Sequence, residues 1–577
     1  MSDLFRLTRV DPVTGVAEPV PATERVDAIL DQPNARALAR SLDPQTLYGL
    51  VHEAGLDAAW ELVMMASGEQ AQALVDFDVW TRDDLQLDRL AHWLDVLLQR
   101  DEAEFREWYD TMDQELLVAW LREHVAVFEW EEDRDVLDTI DDPVMSSPDG
   151  VYALAIPQLD DVGDLVRLLL ERVYRIDIME GHRLLEGSRW ELTSDLVETT
   201  WRLREARLGD LGFVPFHEAM EVYARLDAES WVPRARATAT RTDGEFVTFA
   251  VGSLPPVDHQ LQVLETRRFA ERSSTFTRAL AMLPQVVPEE RLDAVTDAVL
   301  SQLRALVNRV HVADLGNPGD IPAARAALVR AEANLGIGLE LVAGADLALA
   351  ASTLARLPLR EIHRAGYSAT ARLALQADQI VRRGQLTLVE GDALSLLSDV
   401  DRRLFEGLAA RRPVRDAVSE APFETLASIE SAARRIARVG FVELLFFGLM
   451  RWSRDELGTL LADPKRVATP IEQVSLRSLF ATLALDRLLG RDRGLHPLPL
   501  GDVHAALAAA RSDDDALAAF TAAGSAVIAR RAPDDDAVRR LGDVWAAEVA
   551  TWLDEAIGSA TAPPAEVVAE VVVLAAD

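Results

Sequence analysis

His217 and Glu221 stand one helical turn apart in GFVPFHEAMEVY, residues 212–223. A zinc-protease helix uses His-Glu-x-x-His, which sets two imidazoles on one face and leaves the glutamate as base. Here the fifth position is Glu221, not histidine. The two side chains could face one ion, but two ligands do not complete a metal site. The structural alternative is better supported. Gly212 ends one helix, Pro215 opens the next, Phe216, Met220 and Tyr223 form its apolar stripe, and His217 borders that stripe.

Three further groups could do chemistry. Asn308, His311 and Asp314 recur every three residues at the end of a long helical pattern. They could converge on a ligand, but capping and polar contacts between helices are the preferred reading. Arg202, Arg204 and Arg207, in TTWRLREARLGD, could hold an anionic group. Glu205 and Asp210 lie close in sequence, so helix-surface ion pairs are favoured. Residues 128–142, FEWEEDRDVLDTIDD, are acidic around Trp130 and could attract Mg²⁺ or a basic partner. A solvated helix surface is the plainer reading.

Common enzyme devices are missing. The chain has no cysteine, which removes disulfides, thiolate zinc sites, iron–sulfur clusters and thiol nucleophiles. Its single lysine, Lys465, lies in DPKRV and reads as an exposed turn residue. That removes the Gly-Lys-Ser/Thr phosphate loop and the kinase lysine. NLGIGLELVAG, residues 334–344, has Gly336 and Gly338 but neither a third glycine at the dinucleotide spacing nor a preceding strand. No serine elbow and no calcium loop is found. A catalytic carboxylate pair cannot be chosen from 96 acids without a fold.

The elements that must position these groups are helices. At 577 residues, and at roughly 150 residues per domain, three or four units are expected. Residues 1–35, with Pro12, Pro19, Pro21 and Pro33, read as an irregular N-terminal arm. Residues 36–142 read as a helical-repeat domain. Asp43 caps and Pro44 opens LDPQTLYGLVHEAG, and Gly55 ends it. Ser67 to Gln70 has capping-box form, and Thr81 to Asp84 is a looser version before LQLDRLAHWLDVLL. Residues 143–227 read as a central helical region with a short hairpin at PVMSSPDGVYALAIP. Residues 228–260 read as a linker or small β insertion around EFVTFAV. Residues 261–577 read as a C-terminal helical domain. There, Leu292, Val295, Val299, Leu303, Leu306 and Val310 form one apolar stripe. The fold class is therefore mainly α: a multi-helix, solenoid-like array of stacked helix pairs with one or two small β hairpin insertions.

LREARLGDLGFVPFHEAMEVYARLD (203–227), LVNRVHVADLGNPGD (306–320) and LPLREIHRAGYSATARL (357–373) resemble blocks of an uncharacterised bacterial family, grouped only as a domain of unknown function. The likeness covers most of the chain beyond residue 36. It implies a soluble, mostly helical protein and brings no activity and no catalytic residue. Residues 42–125, from LDPQTLYGLVHEAG onward, also resemble the N-terminal cytosolic helical repeats of MgtE-type magnesium transporters. In that family an acidic superhelix responds to Mg²⁺ and regulates a pore. No membrane domain follows here, so transport is not implied and no site residue is transferred.

Charge bounds the partners. With 59 basic and 96 acidic residues the net charge is -37, which repels nucleic acid and anionic lipid. Solubility alone would explain that balance; basic proteins and divalent cations stay open. Arginine, alanine and aspartate dominate as in a GC-rich bacterial genome. MSDLFRLTRVDP has no signal-peptide core. FVELLFFGLM, residues 441–450, is interrupted by Glu443 and is about half of the roughly 20 residues a bilayer span needs. It reads as a buried core helix, and the protein as cytoplasmic. The function expected is a non-enzymatic protein-interaction or regulatory scaffold, since stacked helix pairs present extended surfaces. The alternatives are a metal-dependent hydrolase using carboxylates and a histidine, and a Mg²⁺-responsive sensor. No cofactor is expected beyond Mg²⁺, and protein partners are favoured over nucleic acid or membrane.

Overall fold

Local chemistry starts many of the helices. In the computed structural model, Asp43 accepts the Thr46 N–H at 3.1 Å, and Gly55 leaves the same helix at φ 87°. Ser67 and Gln70 cap each other reciprocally, through bonds of 3.2 and 2.9 Å. The structure describes residues 8–10, 17–81, 83–156, 161–241, 245–247, 274–491, 493–511, 516–558, 560 and 562–576. Across these the protein is mainly α, and its contacts divide it into two compact units, Met1–Gly366 and Tyr367–Asp577.

The first unit opens with β1 (Thr8–Val10) and β2 (Ala17–Pro19), antiparallel, then α1 (Ala22–Leu30) and α2 (Ala35–Ser41). The strand pair and α1 lie where an irregular arm was expected; Val26 and Ile29 of α1 are buried in the core. Next come α3 (Pro44–Ala54), α4 (Trp60–Met65) and α5 (Gly68–Asp78). The looser capping box does not form. Its place is taken by a two-stranded ladder, β3 (Trp80–Thr81) with β4 (Asp84–Leu85), and the Gln86 N–H bonds back to the Val79 carbonyl. The chain continues through α6 (Leu87–Leu97), α7 (Glu102–Thr111) and α8 (Gln114–His124).

A three-stranded antiparallel sheet follows, with β7 (Tyr152–Ala155) between β5 (Ala126–Glu129) and β6 (Val144–Ser146). The β6–β7 hairpin is the one expected at residues 143–158. Gly150 turns it at φ 74°, a conformation that only glycine adopts without strain. Residues 128–142 are thus not one helix: they hold the end of β5 and the short α9 (Arg134–Leu137). Then come α10 (Asp161–Ile176), α11 (Ile178–Trp190), α12 (Thr193–Asp210), α13 (Phe216–Ala219) with a 3₁₀ turn at Met220–Tyr223, and α14 (Ala228–Thr240). α14 fills the first part of the expected linker. Of EFVTFAV only residues 245–247 are described, and Val247 donates to the Ala355 carbonyl at 2.8 Å. One core runs under α1 to α12, filled by Trp80, Trp108, Trp120, Phe77 and Phe105.

α15 (Thr275–Ala281), α16 (Leu283–Val286), α17 (Glu289–Ala313), α18 (Ile321–Ala343) and α19 (Leu347–Arg356) follow, and the unit ends inside α20 (Leu359–Val381). Val295, Val299, Leu303, Leu306 and Val310 are buried as the periodicity predicts, with Leu292 half-buried. α18 and α20 approach through glycine. A Cβ on Gly338 would lie 2.1 Å from the Ile362 carbonyl, and one on Gly366 would lie 2.0 Å from that of Asn334.

The second unit holds α21 (Asp399–Ala409), α22 (Leu426–Glu443) ending in a π-helical turn at Leu444–Leu449, α23 (Arg454–Leu461), α24 (Leu476–Leu488), α25 (Leu500–Arg511), α26 (Ala516–Arg531), α27 (Asp536–Ile557) and α28 (Ala565–Ala569). Residues 571–574 thread its interior: the N–H groups of Val573 and Leu574 donate to the Thr482 and Thr469 hydroxyls, each at 2.9 Å. The apolar run 441–450 is only partly a core helix. Val442, Leu445 and Phe446 are buried, Leu444 is exposed, and buried Glu443 pairs with Arg383 at 2.8 Å. Among the described residues no single helix is long and apolar enough to cross a membrane.

Gly338→Ala is expected to lower stability by about 1–3 kcal/mol, because the added methyl meets backbone that cannot yield. Gly209→Ala, with no neighbouring atom within 4 Å, should be neutral or stabilising. Urea denaturation of the two variants decides this.

Candidate functional site

His217 and Glu221 do not face one another. α13 stops at Ala219 and passes into a 3₁₀ turn, whose three-residue period rotates Glu221 off the His217 face. Both are exposed, and Glu221 pairs with Arg360 at 3.1 Å. The expected apolar stripe is shifted for the same reason: Phe216 is 45% exposed, while Ala219, Val222 and Tyr223 point inward.

Asn308, His311 and Asp314 sit together at the end of α17 but bond in three directions. The Asn308 amide donates to the Leu211 carbonyl at 2.9 Å and accepts from Gln45 at 3.4 Å. His311 Nε2 donates to the Asn317 carbonyl at 2.6 Å, and the buried ring packs edge-on against Phe213 and beneath Gly316. Asp314 accepts from the Tyr223 hydroxyl at 2.9 Å and pairs with Arg330 at 2.9 Å. Asn317, in the following loop, donates to the Trp80 carbonyl at 2.6 Å. The group is a fastening that ties α17 to α12, to the 3₁₀ turn and to the N-terminal helices.

The arginines separate. Arg202 does make a helix-surface pair, but with Glu198 rather than with Glu205 or Asp210. Arg204 and Arg207 instead turn inward, correcting the surface reading. Arg207 grips buried Asp76 with two bonds, 2.7 and 2.9 Å, and reaches Asp113 at 3.3 Å. Buried Arg204 donates to the Asp76 carbonyl at 2.9 Å and lies over the Trp80 ring. Gln72 completes the network, donating to Asp76 at 2.9 Å and accepting the Asp113 N–H at 2.8 Å. Burial pushes the Arg204 pKa down and the Asp113 pKa up. Burial also opposes the Arg207 cation, but the bonds and charge of Asp76 outweigh it and raise its pKa.

His363, which the sequence did not single out, is fully buried. It donates from Nδ1 to the Val222 carbonyl at 3.3 Å and accepts at Nε2 from Asn334 at 3.1 Å. Burial lowers its pKa to about 4, so the ring is neutral.

The acidic segment 128–142 differs from these interior clusters. Two of its eight acids hold it in place: Glu129 and Asp133 receive Arg189 of α11 at 2.6 and 2.8 Å. Glu131, Glu132, Asp135, Asp138, Asp141 and Asp142 are exposed and make no ion pair among the described residues. Trp130 and Val136 are exposed among them, and Trp130 is joined to exposed Val151 through a backbone bond of 3.2 Å. At the end of α11, Trp190 is 67% exposed, with the Arg189 guanidinium 4.5 Å from its ring. No three His, Asp or Glu side chains among the described residues are gathered to hold a metal ion.

Fold and site together define a mainly α protein whose sequence-derived clusters bind its own backbone and side chains, and whose unpaired acids lie on the surface. The chain belongs to a family of unknown function, DUF6178, whose model matches residues 6–574. No curated protein and no solved structure matches it.

Arg207→Ala strands two buried carboxylates and should cost about 3–5 kcal/mol, whereas Arg202→Ala should change stability by no more than about 0.5 kcal/mol. Denaturant titration of both variants checks the contrast. For His363, the folded pKa near 4 lies below the ordinary 6.5, so the unfolded chain protonates first as pH falls. The stability due to the neutral ring is complete above pH 6.5 and declines toward pH 4, by about 2 kcal/mol at pH 5. The denaturation midpoint should therefore fall more between pH 7 and pH 5 in the wild type than in His363→Gln.

Proposed function

We propose that the protein is a non-enzymatic interaction scaffold of the cytoplasm, and that its acidic surface at residues 128–142 takes a basic, apolar-tipped segment of a partner protein. The observation that carries this reading is the division of labour among the eight carboxylates. Arg189 holds two of them, and the other six, in the same exposed segment as Trp130, Arg134 and Val136, make no ion pair among the described residues. Concentrated negative charge raises the encounter rate with a cationic partner, and an indole within it supplies apolar area for the docked state. Trp190, stacked by the same Arg189, offers a second indole at the neighbouring helix end. The net charge of -37 favours a basic protein over nucleic acid or lipid as the occupant.

The test compares the wild type with Trp130→Ala/Glu131→Gln/Glu132→Gln/Asp135→Asn. A partner recovered with the wild-type chain from its own cells is purified and titrated against both proteins. The variant should bind at least about tenfold more weakly with an unchanged melting temperature, and added salt should weaken wild-type binding. Equal affinity for the two proteins would overturn the reading.

A further inference from the structure

The second unit holds a cleft of opposite character. Arg487 at the end of α24, Arg491 and Arg493 in the loop after it, and Arg531 at the end of α26 line one depression of about 340 Å³. Its apolar wall includes Met450 and Trp452, with the Trp452 ring 4.6 Å from that of Phe446. Two of the four guanidiniums are held by carboxylates. Arg493 bonds to buried Asp486 at 2.7 and 3.2 Å, and Arg491 pairs with Asp502. The guanidiniums of Arg487 and Arg531 have no hydrogen bond or ion pair among the described residues. A cation at a helix C-terminus is favoured by the carbonyl end. That explains one arginine on each of α24 and α26, but not four meeting on one cleft of a strongly acidic chain.

A contrast within the same unit sharpens the point. Asp401 gathers Arg435 at 2.9 Å and Arg438 at 3.2 Å, with the Ser398 hydroxyl at 2.9 Å. There the carboxylate occupies the guanidiniums, and nothing is left to recruit. In the Arg487–Arg531 cleft two cations stay unmatched. The backbone beside it is also unusual. α22 ends in a π-helical turn, and Arg451 follows at φ 56°, so a non-glycine residue in left-handed conformation sits between Met450 and Trp452. Such local strain and π-turns concentrate where a chain must present side chains to a ligand.

We infer that this cleft is a binding site for a small phosphate monoester carrying a flat apolar body. Two unmatched guanidiniums balance a dianion, and their planar N–H forks fit phosphate oxygens. Asp486 and Asp502 keep Arg493 and Arg491 pre-oriented at the rim. Trp452 and Met450 supply the apolar wall for the body of the ligand.

Calorimetric titration of the full chain tests this with three probes: phenyl phosphate, inorganic phosphate and phenol. Phenyl phosphate should bind saturably, inorganic phosphate more weakly, and phenol not measurably. Arg487→Ala/Arg531→Ala should weaken phenyl phosphate at least about tenfold while the ligand-free melting temperature stays the same, since neither side chain has a partner to lose among the described residues. Trp452→Ala should bring phenyl phosphate down to the affinity of inorganic phosphate. The inference is overturned if phenyl phosphate gives no saturable binding, if phenol binds as well as it does, or if the double arginine variant binds it unchanged.

Discussion

The grip of Arg207 on Asp76 decides how three helices of the first unit are placed. The guanidinium comes from α12, the carboxylate from α5, and the second acceptor, Asp113, from the residue that opens α8. Removing these charges from water is expensive, and their attraction does little more than restore the loss. The network therefore acts less as net stability than as a penalty on every packing in which the partners are separated. Gln72 and Arg204 add bonds to the Asp113 N–H and the Asp76 carbonyl, and these form together only when α5, α8 and α12 meet in this one arrangement. The tryptophan-rich core around it supplies the driving force, and the polar cluster supplies the register.

What was legible in the sequence was local. Asp43 with Thr46 and Ser67 with Gln70 are recognisable because cap and acceptor lie three residues apart. The stripe along α17 and the turn at Gly150 are visible for the same reason. What was not legible depends on distant partners. Nothing near Arg207 reveals Asp76, 131 positions earlier, and Glu205 and Asp210 offered nearer partners that the fold does not use for it. His217 and Glu221 have the spacing of an α-helix, yet the helix there is only four residues long. Gly338 belongs to a nucleotide motif that the sequence does not complete; its role is to let the backbones of α18 and α20 touch. His363 carried no signal, since a lone histidine among charged neighbours, as in REIHR (360–364), looks the same whether buried or exposed.

Arginine carries almost all the positive charge, and its geometry is used in two ways. A planar fork can take both oxygens of a carboxylate, as Arg207 takes Asp76, or close two N–H groups on one oxygen, as Arg435 does on Asp401 Oδ1. Burial works against the Asp401 carboxylate, but Arg438 and Arg435 hold its pKa below the ordinary range. Arginines also lie on the surface, as Arg202 does, but residues 128–142 keep six exposed acids without an ion pair among the described residues. Arg487 and Arg531, without a side-chain partner among the described residues, therefore stand out against the many arginines that have one.

The bond from Asn317 to the Trp80 carbonyl spans 237 positions, and the one from Gln45 to Asn308 spans 263. During synthesis, at roughly 5–20 residues per second, the opening helices wait on the order of 10–50 s before the loop that seals them leaves the ribosome. Through that interval their apolar edges are uncovered, and closing so long a loop carries its own entropic barrier. Newly made chains of this protein are thus exposed to association through those edges for a time set by sequence separation rather than by the stability of the finished molecule.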